Sequence, residues 1–335
     1  MGDARAHILG IRSQALLAQA IAAAAGLGIA DVLAAGPMSV AELAGHCDAK
    51  PDPLYRLLRT LAGHGIFAED GDGRFALTPG AQPLRRDVPG SLQPILAGDF
   101  PALVWSTFGE LEAAVRTGEV AFERAHGAGF FDYLAAHPKA NASFDKAMAL
   151  VAATEHPLIA ASHDFGSVST IADIGGGQGG LLAAILRRYP AARGMLFDQP
   201  QVIDAPAELE AAGVLERCEL VAGDFFTAVP AGADLYLLKR ILHDWEDAQA
   251  LSILRAVRAA LGNNGRLLVI DAVMQPGNAP DPNKDLDLNI MALTGGRERT
   301  EAEFATLFHA AGLALEAIQP LPPPATLSIV RARPV

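Results

Sequence analysis

The stretch Ile171-Ala-Asp-Ile-Gly-Gly-Gly-Gln-Gly-Gly-Leu-Leu182 indicates the fold class of this chain. An apolar run is followed by a turn dense in glycine, and then by a helical pattern that extends to about Tyr189. Such a turn lets the backbone approach a ligand closely, and the free N–H groups of the helix start point at that ligand. The stretch therefore predicts a ligand site at the end of a buried strand.

A carboxylate suited to binding a ribose ends the next apolar run, Gly194-Met-Leu-Phe-Asp198. Asp198 can accept hydrogen bonds from both ribose hydroxyls in that position, which predicts an adenosine-type cofactor. Gly175, Gly177 and Gly180 also have the spacing of the dinucleotide-binding fingerprint. The glycine spacing alone therefore leaves a nicotinamide dinucleotide and other adenosine cofactors as alternatives.

From about Ser169 onward, apolar strand patterns alternate with helical patterns. Repeated units of this kind predict an α/β fold with a doubly wound, mainly parallel, seven-stranded sheet of the Rossmann-like type. Its ligands should bind at the carboxyl ends of the first strands. Strands are expected near 169–174, 194–198, 218–222, 234–239, 266–271, 313–319 and 326–332, with helices such as 179–189, 247–261 and 301–311 between them.

Residues 1–95 have the pattern of a winged helix, in which helices precede a two-stranded wing. Ser39 and Glu42 have capping-box spacing, a second helix begins at Pro51, and the turn Asp70-Gly-Asp-Gly73 predicts a hairpin. DNA binding is one function of this pattern, and packing or dimerisation is another. We favour dimerisation, because the second helix carries few basic residues on an acidic protein.

Residues 96–165 have a helical pattern and are rich in aromatic side chains. Between Phe100 and Phe144 the segment holds eight of the twenty Phe, Trp and Tyr residues of the chain. Such a cluster forms either ordinary core or the lining of an apolar pocket for a flat ring. Phe130 and Phe131 are the candidates for a pocket.

Composition limits the class of protein and its partners. The 335 residues are 51% apolar and 19% charged, with a formal net charge of −12, which argues against nucleic acid or an anionic membrane as a partner. Cys47 and Cys218 lie far apart without metal-type spacing, which indicates a reducing, cytoplasmic environment. The apolar segment Ala15–Ala30 has the composition of a signal peptide, but its pattern favours a buried helix near the N-terminus.

Three features favour S-adenosylmethionine over a dinucleotide. Asp173 stands two positions before Gly175, where it can meet the amino-acid end of that cofactor. Asp224 and Phe225 follow the third strand and suit the adenine amino group and ring. The fourth strand ends in Leu237-Leu-Lys-Arg-Ile-Leu-His-Asp-Trp245, which places polar groups near the far end of the cofactor.

The motifs also occur in a familiar order along the chain, namely Asp173-Ile-Gly-Gly-Gly-Gln-Gly-Gly180, Phe197-Asp-Gln-Pro200, Gly223-Asp-Phe-Phe226, His243-Asp-Trp245 and Gly295-Gly-Arg-Glu-Arg-Thr300. In these motifs the chain resembles the S-adenosylmethionine-dependent small-molecule O-methyltransferases of the caffeic-acid and hydroxyindole type, in particular the bacterial members. The resemblance covers essentially the whole chain. It implies a winged-helix-like dimerisation domain over 1–95, a helical connector to the substrate pocket over 96–165, and a catalytic domain over 166–335.

The resemblance implies that His243 is the general base, a role that suits imidazole near neutral pH. Glu298 and Asp271 match the acidic positions that support this base. Asp271 stands where plant enzymes commonly have glutamate, so its contact with His243 is the weaker of the two assignments. A solvent-exposed histidine at a helix start is the alternative for His243. For Asp244, substrate binding and capping of the following helix are both open.

The resemblance also implies two sets of binding residues. The expected cofactor contacts are Asp173, Gly175, Gly177, Asp198, Gln199, Asp224, Phe225 and Lys239. The alternative for Lys239 is a strand-end lysine whose charge reaches solvent. The expected substrate-facing residues are Asp244, Asn289, Ile290 and Met291, with Phe130 and Phe131 as looser candidates.

The implied reaction is methylation of a hydroxyl on an aromatic or polyketide-like small molecule, with S-adenosylhomocysteine as the second product. No metal is expected, and the implied assembly is a homodimer without nucleic-acid or membrane partners. One alternative is a non-methylating reaction in the same cofactor site, such as hydroxylation, decarboxylation or cyclisation. A nicotinamide-dependent oxidoreductase is the more remote alternative.

Overall fold

The computed structural model describes residues 3–204 and 206–335, which divide into two compact units. One unit comprises the chain up to Ser106 together with Leu134–Leu150. The other comprises Thr107–Tyr133 together with Val151–Val335. The three-part division suggested by the sequence stays a prediction.

The first unit combines helices with a three-stranded antiparallel sheet. Its elements are α1 (Ala4–Gly26), α2 (Ile29–Leu33), β1 (Met38–Ser39), α3 (Val40–His46), α4 (Pro51–Gly63), β2 (Phe67–Glu69), β3 (Arg74–Leu77), a 3-10 helix (Pro79–Leu84), α5 (Gln93–Leu96) and α6 (Asp99–Thr107). The strand order is β1-β3-β2. The capping box at the start of α3 is confirmed, because the Ser39 hydroxyl accepts from the Glu42 N–H and the Glu42 carboxylate accepts from the Ser39 N–H. Leu43, Leu58 and Phe75 form the centre of the core.

Helix α1 differs from the buried helix that the sequence favours. Only Ala24 and Ala25 in it are buried, while Ile8 and Leu9 are 64% and 61% exposed. The expected burial of Ala15–Ala30 holds in part, because Leu17, Ala20 and Ile21 pack against the unit's core, whereas Ile8 and Leu9 lie before that segment. In the described part of the chain, α1 is also the one helix that is long and apolar enough to cross a membrane. A single helix of this kind near the N-terminus is weak evidence for a membrane span.

The second unit is built on a mainly parallel sheet. Its strands are β4 (Thr170–Ile174), β5 (Arg193–Asp198), β6 (Cys218–Ala222), β7 (Leu235–Lys239), β8 (Arg266–Met274), β9 (Arg299–Thr300), β10 (Leu313–Pro320) and β11 (Leu327–Pro334). The order is β10-β11-β8-β7-β4-β5-β6, with the short β9 beside β8. Strands β4 to β8 pair in parallel, and β10 and β11 pair antiparallel. The predicted Rossmann-like sheet is confirmed.

Helices flank this sheet and lead into it. They are α7 (Leu111–Thr117), α8 (Ala121–His126), α11 (Gly180–Arg188), α12 (Pro200–Ile203), α13 (Ala207–Ala211), α14 (Asp247–Ala260), α15 (Pro282–Leu293) and α16 (Glu301–Ala310). Helices α9 (Phe130–Ala136) and α10 (Pro138–Ser162) each contribute residues to both units. Alternate residues of β4 enter different apolar layers, with Ile171 in one and Ala172 in the other. This burial on two faces explains why the strand reads as an uninterrupted apolar run.

The strand order positions the predicted site. Strand β4 lies between β5 and β7: the chain passes from β4 to β5 and β6 on one side and then crosses to β7 on the other side. A crevice forms at the carboxyl ends of strands where the order reverses in this way. Asp173, Asp198 and Lys239 lie at the carboxyl ends of β4, β5 and β7. The fold therefore brings these three groups to the same edge.

Candidate active site

The turn after β4 requires glycine for steric reasons. Gly175 has φ +70°, and a Cβ on it would lie 2.5 Å from Cδ1 of Ile241. A Cβ on Gly176 would lie 2.7 Å from the carboxyl carbon of Asp173. Gly177 has φ +59°, but nothing lies within 4 Å of its Cβ position. The turn is therefore packed tightly on its inner side and open at Gly177.

Asp173 supplies a buried acceptor behind this turn. It is 1% exposed, and among the described residues its Oδ2 has no hydrogen-bond partner. Burial raises the pKa of Asp173 to about 7, an effect that the positive charge of Lys239 opposes. A buried carboxyl with an unused acceptor stabilises a cation placed beside it. This position fits the ammonium group of an amino-acid moiety.

Asp198 is held at the end of β5 by backbone hydrogen bonds. Its Oδ2 accepts from the Gly177 N–H at 2.8 Å, and its Oδ1 accepts from the Gln199 N–H at 2.7 Å. Each carboxylate oxygen has a further lone pair, so the fixed group can still accept from ribose hydroxyls. The side chain of Gln199 is exposed and accepts from Gln201. The structure therefore gives Gln199 a backbone contact with Asp198.

Asp224 and Phe225 follow β6 as the sequence predicts. The Asp224 carboxylate accepts from the Phe226 N–H at 2.9 Å and from the Thr227 hydroxyl at 3.3 Å, so it stabilises its own turn. The Phe225 ring lies beside the glycine turn, 3.6 Å from a Cβ built on Gly175. The pair lies where an adenine would be expected, and its binding role stays a prediction.

Lys239 is held by a buried carboxylate that sequence reasoning missed. Its Nζ lies 2.9 Å from Glu155 Oε2, and its side chain is only 13% exposed. The adjacent Arg240 donates to the same carboxylate, with Nη2 2.5 Å from Oε1. Lys239 is therefore not a lysine whose charge reaches solvent. Glu155 lies in α10, far from any motif, and no pattern around it in the sequence indicates the contact.

His243 lies on a 3-10 turn, Leu242–Asp244, directly after β7. It is 5% exposed, so the alternative of a solvent-exposed histidine is excluded. Its Nδ1 lies 2.7 Å from Glu298 Oε1, and its Nε2 lies 3.7 Å from Asp244 Oδ1. Asp244 does not cap the next helix, whose N-cap residue is Glu246.

The two acidic candidates have different surroundings. Glu298 is 1% exposed and contacts His243, and burial raises the pKa of Glu298 to about 8 against the opposing charges of Arg240 and Arg299. Asp271 is fully buried, and burial raises its pKa to about 6. Within the described structure, neither carboxyl oxygen of Asp271 has a hydrogen-bond partner. The structure thus brings Glu298 to His243 and leaves Asp271 without such a bond.

The segment that carries Glu298 packs against the backbone of the 3-10 turn Leu242–Asp244 (the histidine turn). The Arg297 N–H donates to the His243 carbonyl at 2.8 Å. A Cβ on Gly296 would lie 2.0 Å from that carbonyl oxygen, so only glycine permits this approach. Sequence reasoning missed Gly296, although two adjacent glycines before an acidic residue are a visible signal of close backbone approach.

Aromatic side chains surround the next residue, Trp245. Phe131 stacks on it with a centroid distance of 6.3 Å and an interplanar angle of 29°. Phe226 meets it edge-on at 4.8 Å. Phe130 is buried and packs edge-on against Phe122 at 5.2 Å. The structure therefore places Phe131 beside the histidine turn and Phe130 in the core, and it adds Trp245, which sequence reasoning did not assign.

The stretch Asn289, Ile290 and Met291 lies in α15. Ile290 is buried, and its two neighbours are half-buried. Asp287 in the same helix accepts from the Glu298 N–H at 2.8 Å, so α15 lies next to the acidic motif. Contact of these three residues with a substrate stays a prediction. Among the described residues, no group of three or more His, Cys, Asp and Glu side chains is arranged to hold a metal ion.

A Rossmann-like sheet with this glycine turn, strand-end carboxylates and a buried His–Glu pair defines the class of S-adenosylmethionine-dependent methyltransferases. An O-methyltransferase domain model matches residues 108–314, and an O-methyltransferase dimerisation domain model matches residues 11–86. The chain belongs to the O-methyltransferase family. It is an enzyme that uses S-adenosylmethionine as its methyl donor, and it carries the dimerisation domain of the family.

Similar proteins include a phenazine O-methyltransferase from Lysobacter antibioticus, which is 44% identical over 95% of this chain and 92% of that protein. A solved O-methyltransferase from neocarzinostatin biosynthesis, in complex with S-adenosylmethionine and 2-hydroxy-5-methyl naphthoic acid, is 35% identical. The two structures superpose with a TM-score of 0.86, and the match covers 95% of this chain and 96% of the chain of that enzyme. An aclacinomycin 10-hydroxylase from Streptomyces purpurascens is 35% identical over 88% of this chain and 81% of that protein.

Proposed function

We propose that this enzyme methylates a hydroxyl group of an aromatic or polyketide-like small molecule, with His243 as the general base. The observation that carries the proposal is the buried contact between His243 Nδ1 and Glu298 Oε1 at 2.7 Å. His243 follows β7, which lies beside β4, the strand that leads into the glycine turn. The relatives named for phenazine and naphthoic acid chemistry support an aromatic acceptor.

S-adenosylmethionine supplies a methyl group on a positively charged sulfur. A phenol has a pKa of about 10, so its oxygen is a weak nucleophile near neutral pH until a base takes its proton. We assign the ring proton of neutral His243 to Nδ1, which then donates to Glu298 and leaves the lone pair on Nε2. Since Nε2 is 3.7 Å from Asp244, beyond hydrogen-bond distance, it is available to accept the hydroxyl proton.

The groups around His243 favour its protonated form once the proton has moved. Glu298 contacts the ring directly, and the positive charge that forms on the imidazolium favours the carboxylate form of this buried acid, so the two charges stabilise each other. We assign Asp271 a longer-range electrostatic contribution, because it makes no hydrogen bond but its ionisation is sensitive to the charge of His243. Glu298 is therefore the main support of the base.

The cofactor would be held by groups from several strand ends. We assign Asp173 to the ammonium group, Asp198 to the ribose hydroxyls, and the backbone of Gly175 and Gly177 to the methionine end. Asp224 and Phe225 are assigned to the adenine. Gln199 and Lys239 complete the set, the former by fixing Asp198 and the latter through its charge beside Asp173.

The acceptor pocket would be formed next to the histidine turn. Phe131 and Trp245 present stacked rings there, and Phe131 is 42% exposed, so a flat acceptor has an aromatic surface to pack against. The remaining proposed substrate-facing residues are Asp244, Asn289, Ile290, Met291 and Phe130.

Product mass tests this function. The purified enzyme would be incubated with S-adenosylmethionine and a panel of hydroxylated phenazines, naphthoic acids and anthraquinones. A product heavier by one CH₂, with the methyl on oxygen by NMR, would support the proposal. A product heavier by one oxygen would instead identify hydroxylation, the reaction that the hydroxylase relative is named for, and a product lighter by CO₂ would identify decarboxylation.

We also propose a cytoplasmic homodimer. Helix α1 exposes Ile8, Leu9, Ile11 and Leu16, and burial of apolar surface of this kind drives association. Light scattering should give twice the chain mass of 34.9 kDa, and the single-chain mass would contradict the assembly. Cys47 and Cys218 are both free, in keeping with a reducing compartment, and cell fractionation would test the location.

A further inference from the structure

Arg299 is the largest side chain among those that the described structure buries fully, with 1% exposure. A guanidinium remains charged at all physiological pH values, and burying it is costly unless each donor finds an acceptor. Its position, one residue beyond Glu298 in β9, does not bring it into the proposed proton transfer. The contacts that satisfy it therefore indicate what it does.

Arg299 bonds to the backbone on both sides of His243. Its Nη1 donates to the Leu242 carbonyl at 2.8 Å, and its Nη2 donates to the Trp245 carbonyl at 3.0 Å. Its Nε and Nη2 also donate to Asp247 Oδ1, at 3.1 Å and 2.9 Å. A planar fork with fixed donor directions holds two carbonyls in one relative arrangement, which a flexible ammonium cannot do.

We infer that Arg299 is a positioning residue, which fixes the turn that carries His243 so that its ring meets Glu298. Residues 297–299 thus donate three hydrogen bonds to the backbone around His243. Arg299 bonds the Leu242 and Trp245 carbonyls, and the Arg297 N–H bonds the His243 carbonyl. The inference rests on the proposed role of His243 as the base. Misplacement of a reacting group by about 1 Å can cost on the order of 100-fold in rate.

The test compares Arg299→Met with Arg297→Met. Arg297 lies in the same segment, but its side chain is 48% exposed and, within the described structure, pairs with Asp247 and Glu303. Its replacement removes a guanidinium and leaves the backbone N–H in place, so it is a matched control. We expect Arg299→Met to lower kcat by about 10- to 100-fold. The acceptor KM and the affinity for S-adenosylhomocysteine should change by less than about threefold. Arg297→Met should retain wild-type kcat.

A spectroscopic readout separates positioning from general stabilisation. A proton shared between His243 Nδ1 and Glu298 gives a downfield ¹H NMR signal, assigned by its absence in His243→Asn. We expect the signal in wild type and Arg297→Met, and its loss in Arg299→Met. An Arg299→Met enzyme that keeps the signal and the wild-type kcat would overturn the inference. So would equal losses of kcat and cofactor affinity with the signal retained.

Arg299→Lys keeps the test decisive if the methionine variant does not fold. Lysine retains the charge but cannot bond both carbonyls in fork geometry. A folded Arg299→Lys enzyme with reduced kcat and no downfield signal would support the inference, and one with wild-type values would overturn it. Failure of the proposed function is distinguishable, because it would appear as an active His243→Ala enzyme, whatever Arg299 does.

Discussion

Nδ1 of His243 lies 2.7 Å from Oε1 of Glu298, although the two residues are 55 positions apart in the chain. Each comes from a segment after a different strand, and the segments are joined by backbone contacts as well as by this pair. The geometry makes the imidazole a base with a fixed orientation, and the following predictions test its parts.

Replacing Glu298 by glutamine should lower kcat by on the order of 100-fold. The amide keeps the volume and can still accept from Nδ1, but it loses the charge that stabilises the imidazolium. Steady-state kinetics would measure the effect, with Glu301→Gln as a control at an exposed position of the same region. A Glu298→Gln enzyme with wild-type kcat would show that the carboxylate does not assist His243.

Cofactor affinity should depend on the ionisation of Asp173. The pKa of this buried carboxyl is about 7 in the free protein, and an ammonium beside it favours the charged form. Binding of S-adenosylhomocysteine should therefore strengthen by up to about tenfold per pH unit as pH rises from 5.5 to 7. Calorimetry in buffers of different ionisation enthalpy should also show proton release on binding below pH 7.

The Asp173→Asn variant should bind S-adenosylhomocysteine more weakly than wild type at pH 7 and lose the steep rise with pH. Asp204→Asn, at an exposed position after α12, serves as the matched control and should bind like wild type. If Asp173→Asn kept the wild-type pH profile, the assignment of Asp173 to the ammonium group would be wrong.

Asp271 should reduce stability at neutral pH. Burial raises its pKa from 3.8 to about 6, so its contribution to folding is present below pH 3.8 and is lost as pH rises through 6. One pKa unit corresponds to about 1.4 kcal/mol. Between pH 5 and pH 8, the free energy of unfolding of Asp271→Asn should therefore rise relative to wild type by about 1 kcal/mol, as measured by urea titration. A pH-independent difference would contradict the burial of a titrating carboxyl at this position.

Gly296→Ala should reduce activity more than its small size suggests. The added Cβ would lie 2.0 Å from the His243 carbonyl oxygen, and backbone must move to admit it. We expect a loss of kcat of at least about 100-fold, because the turn and Glu298 would separate. Gly109→Ala is the control, since nothing lies within 4 Å of its Cβ position. Equal kcat for the two variants would show that the approach of Gly296 to the turn is not needed.

The sequence allowed the Rossmann-like sheet to be predicted because the central strands β4, β5, β7 and β8 are mostly buried apolar runs. The glycine turn after Asp173 has a steric requirement visible in the residues themselves. The pairing of His243 with Glu298 came from the resemblance of two motifs to a family. The local sequence of either motif does not show that the two motifs lie close together in the fold.

Other features depend on contacts between distant segments and could not be predicted. Glu155 holds Lys239 from a helix with no motif, and the burial of Arg299 contradicts the usual exposure of a charged residue. The exposed Ile8 and Leu9 of α1 show a related limit, because an apolar pattern indicates that a surface will be covered without indicating which molecule covers it.

The most direct test of the account is the single-turnover rate of methyl transfer by wild type and His243→Ala, at saturating S-adenosylmethionine, to an aromatic hydroxyl that wild type methylates. We predict that the single-turnover rate of His243→Ala is lower than that of wild type by a factor on the order of 10²–10⁴, with affinity for S-adenosylhomocysteine nearly unchanged. Equal rates for the two proteins would contradict the assignment of His243 as the base.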